Sequence, residues 1–469
     1  MTSNTSNEVA VETEERLRRV RAALDDVVDA EGLPGGAVAL LDGDSTYYTF
    51  SGHGDLDTAR DWSDESRQPI GCLSKVLIAY VAMMLVDRGV VSLDEPLCDR
   101  VPGACLRRDG VSAPITLRSA LSHSTGVDQA FEVWNQVNPR TPAEYVEGLQ
   151  GYRQIAEPGQ VFAYNNIGTA VAAVLIENIL QESWQRAVNT MLLTPLGISA
   201  IAEPEDGGGL SGLDETVVTG YSARAGGQGY QPVAPADLER VADCFGSTTI
   251  YMTPHEISLL ARCAMSDGVG GNGVRVLSET LAREMRSPQI GIPGHPMYDS
   301  WGLGWLLFDD ESFGFEAATE GQHIFLRMFK EEDRGFLVMT NSFPSFPLYS
   351  EILLAATDRQ WPADGAAANT LQESHCVGTY EADGHKLEIR AASDGMEFKL
   401  FLGGGSENWY LLHQGQSAFA GGGALVLSSV NRGFQSAAVP IWVDDRAEPS
   451  FLRFGMIVLE KVSSTDPGK

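Results

Sequence analysis

The sequence predicts an α/β chain of the α+β kind: an antiparallel sheet with a helical subdomain, then a small all-β barrel. Three observations carry this expectation. Strand-like segments near the N-terminus and again between residues 301 and 340 flank a mostly helical block, so early and late strands are expected to share one sheet. Around Trp361-Pro362-Ala363-Asp364-Gly365 the composition shifts to that of a linker. Beyond it, short alternating segments separated by Gly or Asp clusters follow one another, as in a small barrel or sandwich. The expected domains are 1–362 and 363–469.

Residues 1–11 are polar and expected to be loose. From Val11 to Ala30, Leu17, Val20, Ala23, Leu24, Val27 and Val28 recur at helical spacing and predict an amphipathic helix that ends before Gly35-Gly36. Ala37–Leu41 and Thr46–Phe50 flank Asp42-Gly43-Asp44, a hairpin signal. Ser74–Asp87 is apolar nearly all round and predicts a central buried helix, with Gly89 as its C-terminal stop. Residues 115–285 read as mostly helical with long loops, and Gly207–Pro235 as an excursion loop. Trp301–Phe308, Phe313–Ala318, His323–Phe329 and Gly335–Thr340 read as short strands. Asp309-Asp310-Glu311 reads as a solvated turn. In the tail, strands are expected at Val377–Glu381, Lys386–Arg390, Glu397–Leu402, Trp409–His413, Ala424–Ser428, Ser436–Val443 and Phe451–Glu460.

Charge excludes several partners. The 469 residues carry 33 Lys and Arg against 63 Asp and Glu, a net charge of −30. No basic stripe is present to displace counterions from a phosphate backbone, so neither nucleic acid nor an anionic membrane is expected as a partner. No segment reaches the roughly 20 apolar residues that span a bilayer. The N-terminus has no basic stretch followed by an apolar one, so it is not read as a secretory signal. Six cysteines, at 72, 98, 105, 244, 263 and 376, show neither a C-x-x-C pair nor zinc spacing. They are expected to be free thiols in a reducing cytoplasm. No Gly-rich phosphate loop or metal triad stands out, so no cofactor and no metal are expected.

The informative string is Pro69-Ile70-Gly71-Cys72-Leu73-Ser74-Lys75-Val76. Cys72 and Lys75, three apart at the start of a helix, lie on one face. A thiol at a helix N-terminus beside an ammonium favours its thiolate, which supplies a nucleophile with an activating neighbour. Ser74 adjoins Lys75, and their side chains diverge by about 100° on the helix, so Ser74 is not the expected nucleophile.

The surrounding motifs give that tetrad its weight. Gly71-Cys72-Leu73-Ser74-Lys75 is followed by Leu85-Val86-Asp87-Arg88-Gly89 and Leu93-Asp94-Glu95-Pro96. Next come Ile115-Thr116-Leu117-Arg118-Ser119-Ala120-Leu121-Ser122-His123-Ser124-Thr125-Gly126, then Pro158-Gly159-Gln160-Val161-Phe162-Ala163-Tyr164-Asn165-Asn166, then Trp301-Gly302-Leu303-Gly304-Trp305. In this order they resemble the serine β-lactamase and penicillin-binding-protein family, especially its class C β-lactamase-like esterases and acyltransferases. The likeness covers residues 36–345. The tail at 372–463 looks like the lipocalin-like barrel often appended to that family.

The resemblance implies a β-lactamase/transpeptidase-like fold and assigns roles. Cys72 takes the nucleophile's place, Lys75 that of the lysine sharing its proton, and Tyr164 that of the general base and acid. Asn166 matches the asparagine that orients Lys75 and the substrate carbonyl. The backbone N–H groups of Cys72 and Ala318 are expected to form the oxyanion hole. Two departures are evident: the nucleophile is cysteine, and the third motif reads Phe315-Glu316-Ala317, without the usual lysine or histidine. Phe315 and Glu316 there should repel a substrate carboxylate, which argues against β-lactams and D-Ala-D-Ala peptides. Ala317 replaces a glycine that allows close approach to the strand.

His323, near the late strand, reads more simply as a strand histidine, with a place in the site as the alternative, and Trp134 is a candidate for an acyl pocket. Trp301 and Trp305 read more simply as core, and His123 as a loop-shaping residue. The expected activity is acyl transfer from a thioester or ester donor to an amine or alcohol through a Cys72 thioester, in specialised metabolite biosynthesis. The partners are then a small-molecule donor and acceptor, with acyl-pantetheine or a carrier-protein thioester among the donors. Three alternatives stay open: a cysteine-dependent esterase, amidase or peptidase; a cyclase using Tyr164 and Lys75 without a covalent intermediate; and a non-catalytic ligand-binding homologue.

Overall fold

The computed structural model describes residues 2–108, 110–128, 139, 141–150, 152–202, 215–224, 229–233, 250–292, 298–319, 321–343, 346–360, 376–382, 385–392, 395–402, 410–413, 425–429, 434–441, 450–454 and 457–464. The chain divides into two compact units. The first comprises Met1–Val90, Ile179–Arg286 and Asp310–Trp361, the second Val91–Asn178, Ser287–Asp309 and Pro362–Lys469.

In the first unit an antiparallel sheet is built from β1 (Gly35–Asp42), β2 (Ser45–Asp55), β3 (Phe313–Thr319), β4 (Gln322–Phe329) and β5 (Arg334–Thr340), in the order β3-β4-β5-β1-β2. Early and late strands do share one sheet: Gly36 pairs with Thr340 and Val38 with Val338. β1 is an interior strand, apolar on both faces, and all but its last residue are buried. Its turn into β2 closes over Gly43 and Asp44, with Gly43 in the left-handed region at φ +52°. The N-terminal helix runs over Thr2–Glu31 and packs on β1, β2 and the helix Phe346–Thr357. It begins at Thr2 rather than Val11, because extending a formed helix needs only propagation, even through polar residues.

The helix Ser74–Asp87 is buried along nearly its whole length, as its unbroken apolar sequence requires. It ends where Gly89 at φ +68° lets the Gly89 N–H donate to Val86 and the Val90 N–H to Leu85. The helix Pro254–Met265 opens on a capping box between Thr253 and Glu256. Glu256 also accepts two bonds from Arg67, at 2.6 and 3.2 Å, which ties the segment leading into Cys72 to this helix. Asp310 is not a plain solvated residue: it pairs with Arg327 at 2.9 Å and Arg359 at 2.7 Å. Within Gly207–Pro235 the described residues hold a small hairpin, Tyr221–Ala223 against Tyr230–Pro232.

The second unit contains the helices Leu117–Leu121, Pro142–Glu147 and Ile167–Leu180. Trp301–Phe308 is not one strand. Ser300–Trp301 and Leu306–Leu307 pair with each other across a tight turn, in which the Gly302 N–H donates to Trp305 and Gly304 takes φ +95°. The apolar run hides two glycines that fold it back.

The expectation of free thiols fails for Cys98 and Cys105, which form a disulfide with their Cα atoms 4.9 Å apart. The short helical turns Leu97–Asp99 and Pro102–Ala104 bring the pair together. Cys72, Cys263 and Cys376 are not in a disulfide among the described residues, and Cys244 lies outside them. Replacing Cys98 and Cys105 together by alanine is expected to cost about 2 kcal/mol, since the bond closes a short loop. Urea unfolding of the double variant checks this.

The tail forms eight antiparallel strands: β6 (Gly378–Ala382), β7 (His385–Ala392), β8 (Gly395–Leu402), β9 (Tyr410–His413), β10 (Leu425–Ser429), β11 (Phe434–Ile441), β12 (Phe451–Phe454) and β13 (Ile457–Ser463). β13 pairs back onto β6, Tyr380 against Lys461, and closes a barrel. Phe451–Glu460, expected as one strand, is the hairpin β12–β13 with Phe454 opposite Ile457. Within the same unit Phe451 is buried in a cluster with Ile155, Ala156, Val161 and Ala163, and Glu460 pairs with Arg153 at 2.8 Å. The expected linker at 361–365 lies outside the described residues. Among the described residues no helix is long and apolar enough to cross a membrane.

Candidate active site

Cys72 sits in a single 3₁₀ turn, Gly71–Leu73, that runs directly into the helix Ser74–Asp87. Backbone bonds fix the approach to it. The Ile70 N–H donates to Ile250, Gln68–Pro69 pairs with Tyr251–Met252, and the Gln68 side-chain amide donates to the His323 carbonyl at 3.0 Å. Gly71 has φ +51°. A methyl group there would lie 2.7 Å from Thr319 Cγ2 and 3.1 Å from the Ala318 carbonyl oxygen. Glycine is needed twice: for the left-handed backbone and for the close approach of the end of β3. That approach brings the Ala318 backbone against the turn that carries Cys72.

Lys75 is 3% exposed, and its Nζ lies 3.7 Å from Cys72 Sγ. Burial pushes the lysine below its usual range, and the neighbouring Cys72 sulfur offsets part of that shift. A buried amine biased toward its neutral form beside a thiol can take the thiol's proton. Ser74 is fully buried.

The neighbouring positions of β3 separate into two kinds. Phe315 and Ala317 point into the core at 1% and 2% exposure. Phe315 is therefore corrected from a site-lining residue to a packing one, and the Ala317 methyl does not crowd the open side of the strand. Ala318 is exposed and Glu316 half-buried. His323 stands opposite Ala318 in the β3–β4 register. Its Nε2 lies 3.0 Å from Glu316 Oε1 and its Nδ1 2.5 Å from the Tyr349 hydroxyl. Burial, reinforced by the Glu316 charge, holds the Tyr349 phenol well above the usual tyrosine range.

Tyr164 and Asn166 belong to the second unit, at the start of the helix Ile167–Leu180. Asn165 between them sets the geometry. Its side-chain Oδ1 accepts from the Ile167 and Gly168 N–H groups, and its side-chain Nδ2 donates to the Val127 and Ala163 carbonyls. The half-buried Tyr164 ring lies 4.4 Å from the His123 ring and 5.5 Å from Trp301, and His123 is 4.5 Å from Trp301. His123 shapes its loop, as expected, and also holds Tyr164. Trp301 and Trp305 are core. Trp134 lies outside the described residues.

Cys72, Lys75, Glu316, Ala318 and His323 thus share the first unit, and Tyr164 and Asn166 the second. A family model described as Beta-lactamase matches residues 20–357. The chain belongs to the beta-lactamase family. It is 28% identical over 367 residues to penicillin-binding protein 4 of Amycolatopsis lactamdurans, covering 75% of this chain and 94% of that relative. It is similar to the crystal structure of SurE (TM-score 0.77, 21% identity, 96% of this chain and 100% of that one). It is also similar to EstCE1, a hydrolase with promiscuous acyltransferase activity (TM-score 0.62, 18% identity, 74% and 99%). At these identities the structural likenesses speak for the fold.

Within this beta-lactamase-family chain, sequence reasoning missed Asn165 and Tyr349. Asn165 carried a readable signal, an asparagine just ahead of an apolar helical run. Tyr349 carried none, since only the tertiary fold brings it to His323.

Proposed function

We propose that this chain is an acyltransferase working through a Cys72 thioester. The observation that carries the reading is the buried Lys75 amine 3.7 Å from Cys72 Sγ, with the Ala318 backbone packed on the same turn. The Cys72 thiol gives its proton to Lys75, and the thiolate attacks the donor carbonyl. Backbone N–H groups of Cys72 and Ala318 stabilise the oxyanion. The intermediate collapses to the Cys72 thioester, and the leaving thiol or alcohol takes up the proton, with Tyr164 as the acid. An acceptor amine or alcohol, giving its proton to Tyr164, then attacks the thioester. Cys72 departs as thiolate and regains its proton.

A thioester is attacked by amines more readily than by water, which favours transfer over hydrolysis. A thiol also exchanges directly with an acyl-pantetheine or carrier-protein thioester, the donor class we assign, as in specialised biosynthesis. EstCE1, a hydrolase with promiscuous acyltransferase activity, shares this fold, which supports this class of chemistry.

The test is intact-protein mass spectrometry after incubation with acyl-pantetheine and aryl-ester donors. The expected result is an acyl mass gain that maps to Cys72, vanishes in Cys72→Ala and decays faster when an amine is added. Decay that ignores amines assigns a hydrolase. No adduct with any donor, while iodoacetamide still labels Cys72, rejects the covalent route.

A further inference from the structure

His123 grips the stretch around Tyr164 with three different parts of itself. Its backbone carbonyl accepts from the Ala163 N–H at 2.8 Å. Its ring Nδ1 accepts from the Asn165 N–H across a longer 3.4 Å. Between those two residues, the Tyr164 ring has its centroid 4.4 Å from that of the imidazole, tilted by 39°. Because Nδ1 is the acceptor, the imidazole is neutral and carries its hydrogen on Nε2.

The residue that makes this grip is itself held in an uncommon state. His123 has φ +53°, in the left-handed region, and is 2% exposed. Ala59, Gln181, Glu311, Asp333 and Asp358 also have positive φ, but they lie exposed. A buried side chain keeps such a backbone only where its surroundings over-determine it. They do so on both sides of His123. The Ser124 N–H donates to Ser119 at 3.0 Å, and the Gly159 N–H to Ser124 at 2.7 Å. The Gly126 carbonyl accepts from Ile155 at 2.8 Å and Ala156 at 3.2 Å. Trp301 stands T-shaped to the imidazole at 4.5 Å, and its turn is tied to Leu121 through the Gly304 N–H at 3.1 Å. In this conformation one residue presents both its carbonyl and its ring to the peptide groups that flank Tyr164.

We propose that His123 is a positioning residue for Tyr164: it fixes where the phenol stands for proton transfer, and acts through that residue rather than on the substrate. The inference rests on the reading of Tyr164 as the acid of acyl transfer. In that step the bond from Cys72 Sγ to the acyl carbon forms and the bond from that carbon to the donor sulfur breaks. The departing sulfur takes the Tyr164 proton. A misplaced phenol therefore slows the departure of a basic thiol, whereas a thiolate that is stable by itself leaves without the proton.

The test uses the full-length protein and two donors of one acyl group. Hexanoyl-pantetheine releases a thiol that needs a proton, and the hexanoyl thioester of 4-nitrothiophenol releases a thiolate that does not. Single-turnover loading of Cys72 is followed by mass, and the pantetheine-to-aryl ratio of rates is the readout. Tyr164→Phe sets the scale, with a ratio lowered about 100-fold. His123→Ala, which removes ring and acceptor, is expected to lower it about thirtyfold. His123→Asn tolerates the left-handed backbone and keeps a short polar side chain without the ring, so a loss of about fivefold is expected. Added to Tyr164→Phe, either His123 variant should lower the ratio by no more than about twofold, since both residues act through one group. Should His123→Ala fail to fold, His123→Asn carries the same comparison. A His123 variant that slows both donors alike, or losses that multiply in the double variant, would overturn the proposal and leave His123 a structural residue of its loop.

A second arm does not depend on acyl transfer. With tyrosine replaced by 3-fluorotyrosine, the fluorine signal of Tyr164 is the one missing from Tyr164→Phe. A ring that is held gives two lines, for fluorine on either edge, and a ring that turns over freely gives one averaged line. Wild type is expected to show two lines and His123→Ala one. If no donor loads Cys72 in the wild type, acyl transfer fails and this spectrum decides for His123: lines that merge leave the grip on Tyr164 standing, and lines that do not change overturn it.

Discussion

Lys75→Met is expected to slow acylation of Cys72 by about 100-fold or more while leaving the protein at least as heat-stable as the wild type. The rate loss follows from removing a buried amine 3.7 Å from the Cys72 sulfur that can take its proton. The stability gain follows from burial. At 3% exposure the lysine sits where an ammonium is costly, and a methionine of similar length fills the space without charge. pH gives a second readout. Because Lys75 titrates below its unfolded value of about 10.4, the unfolded chain binds the extra proton between the two values. Wild type therefore gains stability relative to Lys75→Met as pH rises through that window, and carries a constant penalty below it. Lys75→Arg should fail as a catalyst too, since a guanidinium does not give up its proton. Stopped-flow or mass-resolved acylation rates and thermal melts at several pH values check all three. A Lys75→Met variant that acylates at the wild-type rate would remove Lys75 from the chemistry.

Gly71→Ala is the second large effect. The substitution places a methyl in the left-handed region and drives it into Thr319 and the Ala318 carbonyl. The backbone term alone is about 1–2 kcal/mol, and the contact has to be relieved by moving the end of β3. The expected outcome is a loss of roughly 2–4 kcal/mol in stability and of about 100-fold in acylation rate, the size associated with losing an oxyanion donor. The two effects are separable by measuring the rate well below the melting temperature. A variant that is destabilised but fully active would show that the position of Ala318 does not matter to the reaction.

The parts of this fold that were legible in the sequence are those where one local signal dominates. Ser74–Asp87 has an apolar residue at almost every position, so no competing structure could bury it. The barrel strands alternate and are punctuated by Gly and Asp, and all eight strands can be matched to that punctuation once Phe451–Glu460 is recognised as a hairpin. The nucleophile and its lysine are three residues apart, so helix geometry alone joins them. What escaped is what depends on distant register. Glu316 meets His323 because β3 and β4 pair with Ala318 opposite His323, and Tyr349 arrives from a separate helix. Phe315 and Glu316 are adjacent in sequence, yet one is core and the other reaches solvent, because a strand sends neighbours to opposite faces. Trp301–Phe308 misled because its apolar composition outweighed Gly302 and Gly304. Cys98 and Cys105 misled because a seven-residue spacing carries no signature until two helical turns bring the sulfurs together.

Phe451 reaches from the closing hairpin of the barrel into the cluster formed by Ile155, Ala156, Val161 and Ala163, immediately ahead of Tyr164. The stretch leading into Tyr164 is therefore packed only after the barrel hairpin, far later in the chain, has been made. A nascent chain, or one clipped after the sheet is finished, carries the Cys72 turn but lacks the side chain that completes this cluster. Assembly order then has a consequence: the thiol can be in place early, whereas the segment ahead of Tyr164 gains its full packing only once the barrel hairpin has folded.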